Sequence, residues 1–245
     1  MEKSDVKEAG GDNIVVLFSG GSDSTLAAAL AADQFKRIHL VTYSHAFMAF
    51  HEKIEINVKR LKKHYPENEF IRHHHSINPL FKRLYFKNYL FYFRRFGTMI
   101  VPWICGACKL AMHVETIKYC KKRNLRHVSC GANRESSGIF PAQMKPVIEQ
   151  FKKLYERHGI EYRTPVYQLE RTDRLLLDMG IVKEENLKDQ HLFYTTQHTC
   201  PLGILLHAHS RLYYTRIHGL KRYREKAARM MREKILDLEG RKGVT

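Results

Sequence analysis

The sequence predicts an α/β fold: a doubly wound parallel sheet with a basic helical C-terminal extension. Three observations predict it. Short apolar runs alternate with helical spacings along most of the chain. The first run, Asn13 to Phe18 (NIVVLF), passes through a Ser-Gly-Gly turn into an Ala/Leu-rich segment. At 245 residues, 44% of them hydrophobic, the chain can bury one sizeable core and carry an appendage.

Taken in order, Asn13 to Phe18 is a buried strand, because it is short, apolar and β-branched. Ser24 to Asp33 is helical, and Ile38 to Tyr43 (IHLVTY) is a second strand. His51 to His64 places Ile54, Val58 and Leu61 at helical spacing and stops before Pro66. Phe70 to His75 makes a third strand. Asn78 to Phe96 reads as one long helix crowded with aromatic and basic residues. Cys105-Gly106-Ala107-Cys108 follows Pro102, and a helix then runs to about Asn124. Arg126 to Cys130 (RHVSC) is a fourth strand ending in Gly131-Ala132-Asn133. Pro146 to His158 is helical, Gly159 breaks it, and Glu161 to Val166 is a fifth strand. Leu169 to Met179 is helical, a loop holds Cys200, and Leu220 to Leu238 is a basic helix. There is no internal repeat and no low-complexity segment.

Forty-two Lys and Arg against 25 Asp and Glu leave a formal charge of +17 before any of the 15 His protonate. In an α/β protein this balance points to a polyanionic partner, nucleic acid first. A membrane surface is the weaker alternative, since no long amphipathic terminal anchor is evident. No apolar run reaches the roughly 18 residues that a membrane span needs. Met1 to Asn13 is polar and mixed in charge, unlike a signal peptide. A cytoplasmic location without a membrane partner is the expectation. Cys105, Cys108, Cys120, Cys130 and Cys200 are an odd number of thiols. With no export signal, they point to ligands or nucleophiles rather than a disulfide scaffold.

A strand, Ser-Gly-Gly and a helix are built for anions. Gly20 and Gly21 let the backbone come close to a phosphate, and the following helix adds the positive end of its dipole. Ser19 and Ser24 can donate hydroxyls. Asp23 is unusual in a pure anion site; it fits better as a residue that orients the loop or a Mg²⁺ bound to the phosphates. Without Gly-Lys-Ser/Thr, the turn is not a Walker A loop.

Ser19-Gly20-Gly21-Ser22-Asp23-Ser24 resembles the pyrophosphate loop (PP-loop, SGGxDS) of the N-type ATP pyrophosphatases, and all its fixed positions agree. That family includes GMP synthetase, argininosuccinate synthetase, tRNA-lysidine synthetase and the tRNA thiolases. The resemblance implies an adenine nucleotide alpha hydrolase-like fold and cleavage of ATP between the α and β phosphates, with adenylation of a substrate oxygen. It implies ATP and Mg²⁺ at Ser19 to Thr25, with Asp23 and Ser24 as the catalytic pair. By position, the adenine lies against backbone near Thr42 and Tyr43, and Gly131 borders the nucleotide. Thiolases often carry an acidic pair shortly after that glycine; this chain has Arg134-Glu135-Ser136.

Cys105 and Cys108 have CxxC spacing, and the small Gly106 and Ala107 let both sulfurs face one centre. Alone, CxxC is ambiguous between zinc, redox and cluster roles. With Cys200 the set resembles the three-cysteine [4Fe–4S] site of the tRNA 2-thiocytidine synthetases and their thiouridine relatives. In that group the fourth iron lacks a protein ligand and can hold a sulfide. Zinc completed by His198 and a disulfide or persulfide relay remain open alternatives. Cys120, in a basic helix, and Cys130, ending an apolar strand, read as buried structural thiols.

His73-His74-His75 cannot all chelate one ion, because neighbours on a strand point to opposite faces. Phe81 through Arg95 interleaves cations with aromatic rings, which suits phosphates and unpaired bases, although many of those rings must be core. The last helix holds Lys221, Arg222, Arg224, Lys226, Arg229, Arg232 and Lys234 with few acids, which suits an RNA backbone. His207 and His209 receive no role.

The domain expectation is a flexible N-terminus over 1–12, a PP-loop ATP-binding domain with the cysteine site over 13–203, and a basic helical extension over 204–245. The implied function is an ATP-dependent tRNA sulfur transferase. Its partners would be tRNA, a sulfur donor the sequence does not identify, and in one arrangement a second copy as a homodimer. One alternative is a PP-loop enzyme that amidates or thiolates a small molecule beside a structural zinc; another is a non-catalytic RNA-binding protein.

Overall fold

The computed structural model describes residues 12–45, 54–87, 89–134, 141–183, 209, 212–213 and 215–240. Five strands form one parallel sheet in the order β3-β2-β1-β4-β5. They are β1 (Asn13–Leu17), β2 (Arg37–Ser44), β3 (Glu69–Ser76), β4 (His127–Cys130) and β5 (Glu161–Arg163). The chain moves outward from β1 through β2 to β3, then crosses back to lay β4 on the other side of β1. That reversal makes the ends of β1 and β4 the topological switch point, where sheets of this kind bind ligands.

Alternation along β1 explains the two layers. Val15 and Leu17 enter one core, and Ile14, Val16 and Phe18 enter the other. α1 (Ser22–Ala32), α2 (Ile54–His64) and α7 (Thr172–Asp178) lie on the second core's side, contributing Leu26, Ile54, Val58, Leu61 and Leu176. α3 (Asn78–Phe86), α4 (Tyr89–Phe96), α5 (Ile100–Arg123) and α6 (Lys145–Glu156) cover the first. A single turn, α8 (Thr215–His218), precedes the C-terminal helix α9 (Leu220–Glu239).

Three elements differ from the sequence expectation. The helix expected over Asn78 to Phe96 is two helices, α3 and α4, and Lys87 leaves the helix in an extended conformation. Leu84, Tyr92 and Phe96 are buried at multiples of four residues. A helix of 3.6 residues per turn rotates away from such a row by about 40° at each step, so a break must re-aim it. Secondly, the helix expected after the CxxC begins before it, at Ile100, and so contains it. Pro102 falls in the first turn, where a missing N–H costs nothing. Thirdly, β5 ends at Arg163 rather than Val166, because Thr164 opens a turn whose carbonyl accepts Tyr167 N–H at 3.2 Å.

α9 is part of the core. Tyr223, Ala227, Met230, Met231, Ile235 and Leu238 are buried in the first layer. Lys234 is buried with them; its ammonium donates to the Leu84 carbonyl at 2.9 Å and lies 3.4 Å from the Tyr92 ring centroid. The bond satisfies one of the carbonyls that every helix end leaves open, here that of α3. The Glu239 carboxylate pairs with Arg157 at the end of α6.

Candidate active site

The turn between β1 and α1 is shaped by glycine and braced by hydroxyls. Gly20 has φ +81°, a conformation that side chains other than glycine's resist. Gly21 caps α1 with no side-chain hydrogen bond, and the ladder starts at Thr25 N–H to Gly21 O, 3.0 Å. Helix geometry therefore gives the amides of residues 22–24 no acceptor within α1. Ser24 Oγ donates to Gly21 O at 3.1 Å and lies within reach of Ser19 N (3.3 Å) and Ser19 Oγ (3.1 Å). Thr25 Oγ1 donates to Gly21 O at 2.8 Å. Both hydroxyls hold the loop's shape from within. The groups of the loop not spent on its own shape are the amides at the head of α1 and the half-buried Ser19 and Ser22, a set that suits an anion.

Asp23 ties three distant segments together. Its Oδ1 accepts from Asn133 Nδ2 at 3.1 Å and from Thr172 Oγ1 at 2.6 Å. Asn133 lies just past β4 and Thr172 opens α7, so one carboxylate oxygen anchors the loop to both. This geometry gives Asp23 an orienting role. Gly131 completes the joint: a Cβ there would sit 2.6 Å from the Asp23 carbonyl carbon and the Ser24 nitrogen. No side chain fits between the end of β4 and the first turn of α1.

β2 runs three residues beyond its last partner on β1, the Leu17–Val41 pair, so Thr42 to Ser44 project past the β1 end. The side chains are committed inward. Thr42 Oγ1 donates to Phe18 O at 2.8 Å, and the Tyr43 hydroxyl meets Thr116 Oγ1 at 2.9 Å. Burial pushes the Tyr43 phenol well above its ordinary range. A ligand at this position would meet backbone. Beyond the end of β3 lies a cavity of about 500 Å³, lined by Ser76, Arg83, Glu115 and Lys118 among others.

Sequence reasoning missed Asn57, Asn133 and Thr172. Asn57 Nδ2 donates to Gly20 O at 2.7 Å and itself accepts from Arg60 at 2.8 Å. Asn57 carried a usable signal, a buried polar residue on the apolar stripe of Ile54, Val58 and Leu61. Thr172 carried none, since its partner is 149 residues away.

Cys105 and Cys108 sit one turn apart on α5, a spacing that places them on neighbouring positions of one face. Cys108 is buried in the first core layer and Cys105 is half-buried. Their thiols fit two positions of a three-thiolate set. Cys200, His198 and Glu135 lie outside the described residues, and so does His207. Among the described residues no group of three His, Cys, Asp or Glu side chains is placed to hold a metal. Gly106 serves a neighbour rather than the sulfurs, because a Cβ there would strike the buried Trp103 ring at 2.5 Å. Cys120 is fully buried, which pushes its thiol up to about 12. Cys130 is also buried and accepts a hydrogen bond from Tyr162 at 3.1 Å.

A model of the queuosine biosynthesis protein QueC matches residues 13–84, the stretch from β1 to α3 that includes the loop. That is a PP-loop match. No curated protein matches the chain in sequence. Among solved structures, the chain is similar to the U34-tRNA thiolase NcsA from Methanococcus maripaludis with its [4Fe-4S] cluster. Identity is 17% over 94% of this chain and 75% of that one, with a TM-score of 0.48. It is similar to a 4-thiouridine synthetase in complex with RNA and ATP at 16% identity, over 92% of this chain and 54% of that one, with a TM-score of 0.49. The NMN synthetase of Francisella tularensis shares 14% identity over 88% and 87% of the two chains, with a TM-score of 0.47. No helix among the described residues is long and apolar enough to cross a membrane.

Proposed function

We propose that this chain is an ATP-dependent tRNA sulfur transferase of the PP-loop family. The observation that carries the reading is the loop from Ser19 to Ser24. It stands at the switch point of the sheet, heads α1 without a side-chain cap, and is held by Asp23 and Gly131. Such a turn binds the phosphates of ATP, with Mg²⁺ offsetting their charge. A carbonyl oxygen of a tRNA base attacks the α phosphorus, and the bond to the β phosphate breaks as pyrophosphate leaves. The adenylated carbon is then attacked by sulfur at the sulfide level, and AMP departs with the former carbonyl oxygen. The residues contribute position and charge stabilisation rather than covalent chemistry. Asp23 orients the loop, Ser24 and Thr25 hold its curvature, and the α1 amides meet the phosphate oxygens.

Cys105 and Cys108, with Cys200, would hold a [4Fe-4S] cluster, and their chemistry as thiolates suits it. When bound, such a cluster supplies an iron to which sulfide can attach. The net charge of +17 supports a polynucleotide substrate.

The QueC match favours a second reading, in which the activated oxygen belongs to a small biosynthetic substrate. One experiment separates the two. Labelled ATP is incubated with the protein, with and without bulk tRNA, and the nucleotides released are identified. AMP and pyrophosphate formed only with tRNA, together with new thionucleosides in the digest, support sulfur transfer. AMP formed without tRNA moves the reading to a small molecule, and ADP with orthophosphate removes both.

A further inference from the structure

α4 and α9 meet along Arg95. Its guanidinium pairs with Glu233 of α9 at 2.7 Å, and Arg229 reaches the same carboxylate at 3.3 Å. Beside this contact lies an open groove of about 700 Å³. Its charged lining is Arg95, Lys221, Arg224, Arg229 and Arg232 against Glu225 and Glu233, a clear cationic excess.

The helical turn before Arg95 presents apolar surface. Phe91 precedes Arg95 by one turn on the same face of α4 and is 56% exposed; Leu90 is 72% exposed, and Phe93, 47% exposed, lies on the opposite flank beside Tyr89. Phe86, at the end of α3, is 60% exposed. The exposed phenylalanines among the described residues are these three, all within residues 86–93. The surrounding sequence from Asn78 to Phe96 has five cations and no carboxylate. Tyr92 and Phe96 fill the buried side of α4, so the exposed rings are surplus to the core.

From this juxtaposition we infer that α4 and the α9 groove form one binding surface for single-stranded RNA. The phosphates lie along the groove, and an unpaired base stacks on Phe91, the exposed ring one helical turn from Arg95. The inference rests on the reading above that the substrate is an RNA, and adds where and in what form that RNA is held. Charge decides the occupant. A second copy of a chain with +17 would set cations against cations. A bilayer offers anions as well, but it is flat and does not enter a groove, and α4 is only eight residues long. A single strand supplies both a narrow anionic track and π faces, which rings and cations together recognise.

Binding of a labelled 12-nucleotide single-stranded RNA and of a blunt RNA duplex is measured by anisotropy across a salt series. Four forms of the full chain are compared: wild type, Phe91→Ala, Arg224→Ala/Arg232→Ala, and Phe93→Ala on the opposite flank of α4 as a control. All the substituted surface side chains are at least partly exposed, and circular dichroism checks the fold. Phe91→Ala should bind the single strand about ten-fold more weakly, with an unchanged salt slope and unchanged duplex affinity, while Phe93→Ala should bind like the wild type. The double Arg variant should weaken both and flatten the slope by about one to two units. Wild-type binding that neither variant alters overturns the surface while leaving the RNA reading intact. Absence of RNA binding by the wild type overturns that reading itself. Phe-dependent binding to phosphatidylserine vesicles in place of RNA, or Phe-dependent dimerisation, replaces the inference with a membrane or self-association surface.

Discussion

Asp23 holds Asn133 and Thr172 on a single oxygen, so its removal takes a shared charged acceptor from a half-buried joint, leaving Thr172 Oγ1 the Ser22 hydroxyl at 3.4 Å. Losing a hydrogen bond to a charged group costs about 1.5–3 kcal/mol. Asp23→Ala should therefore lower the melting temperature by a few degrees and abolish AMP formation. Asp23→Asn keeps an acceptor oxygen, so it should melt like the wild type and keep AMP formation, as an orienting role requires. An inactive Asp23→Asn that melts normally would show that the carboxylate charge is needed as well. His73 carries a second expectation. It lies between His39, stacked at 5.5 Å, and His75, with Tyr119 and Arg123 facing it. Burial first, then these neighbouring charges, lower its pKa to about 4. A group depressed in the fold takes up its proton earlier in the unfolded chain, so stability falls as pH drops from about 6.5 towards 4. His73→Gln should flatten that slope in melting curves. His45, His75, His113 and His158, also depressed by burial, keep the rest of it.

At the scale of elements, β1 and β2 were legible as short, β-branched apolar runs, while β3 and β5 carry few apolar residues and were placed by their position between helices. The loop was legible because only glycine and small hydroxyls suit it. The α3–α4 break was not, since its cause is which ring meets which core, a tertiary matter that a spacing of four residues conceals. The same holds for Thr172, whose partner Asp23 lies across the fold. α5 shows the limit most clearly. Its CxxC was readable, but the purpose of Gly106 was not, because it belongs to Trp103. The cysteine proposal is tested on this helix. Protein purified without oxygen should be brown, and Cys105→Ala, Cys108→Ala and Cys200→Ala should each lose iron. Cys120→Ala should keep it, since that thiol is sealed in the core. A colourless protein with one zinc that departs on changing His198 would replace the cluster with a closed tetrahedral site.

For the whole molecule, the basic charge and the core meet in α9. A helix carrying this many cations invites description as a detachable RNA-binding tail, and the sequence alone supports that description. Its inner face contradicts detachment: Tyr223, Met230, Met231, Ile235 and Leu238 fill the layer beneath α4 and α6. Each such side chain, fully buried, contributes about 1.5–3 kcal/mol, against a typical total stability of about 5–15 kcal/mol. Lys234 sharpens the case. Without α9 the Leu84 carbonyl loses its donor and the Tyr92 ring its cation. Ending the chain after Gly219 should therefore abolish the cooperative thermal transition, with loss of near-ultraviolet circular dichroism and binding of a hydrophobic dye. ATP turnover and RNA binding should disappear together with the fold. Charge reversal confined to the outer face, such as Arg222→Glu with Arg229→Glu, should do the opposite, weakening RNA binding while the melting temperature moves by no more than a few degrees. A truncated chain that still melts cooperatively and turns over ATP would return α9 to the status of an appendage.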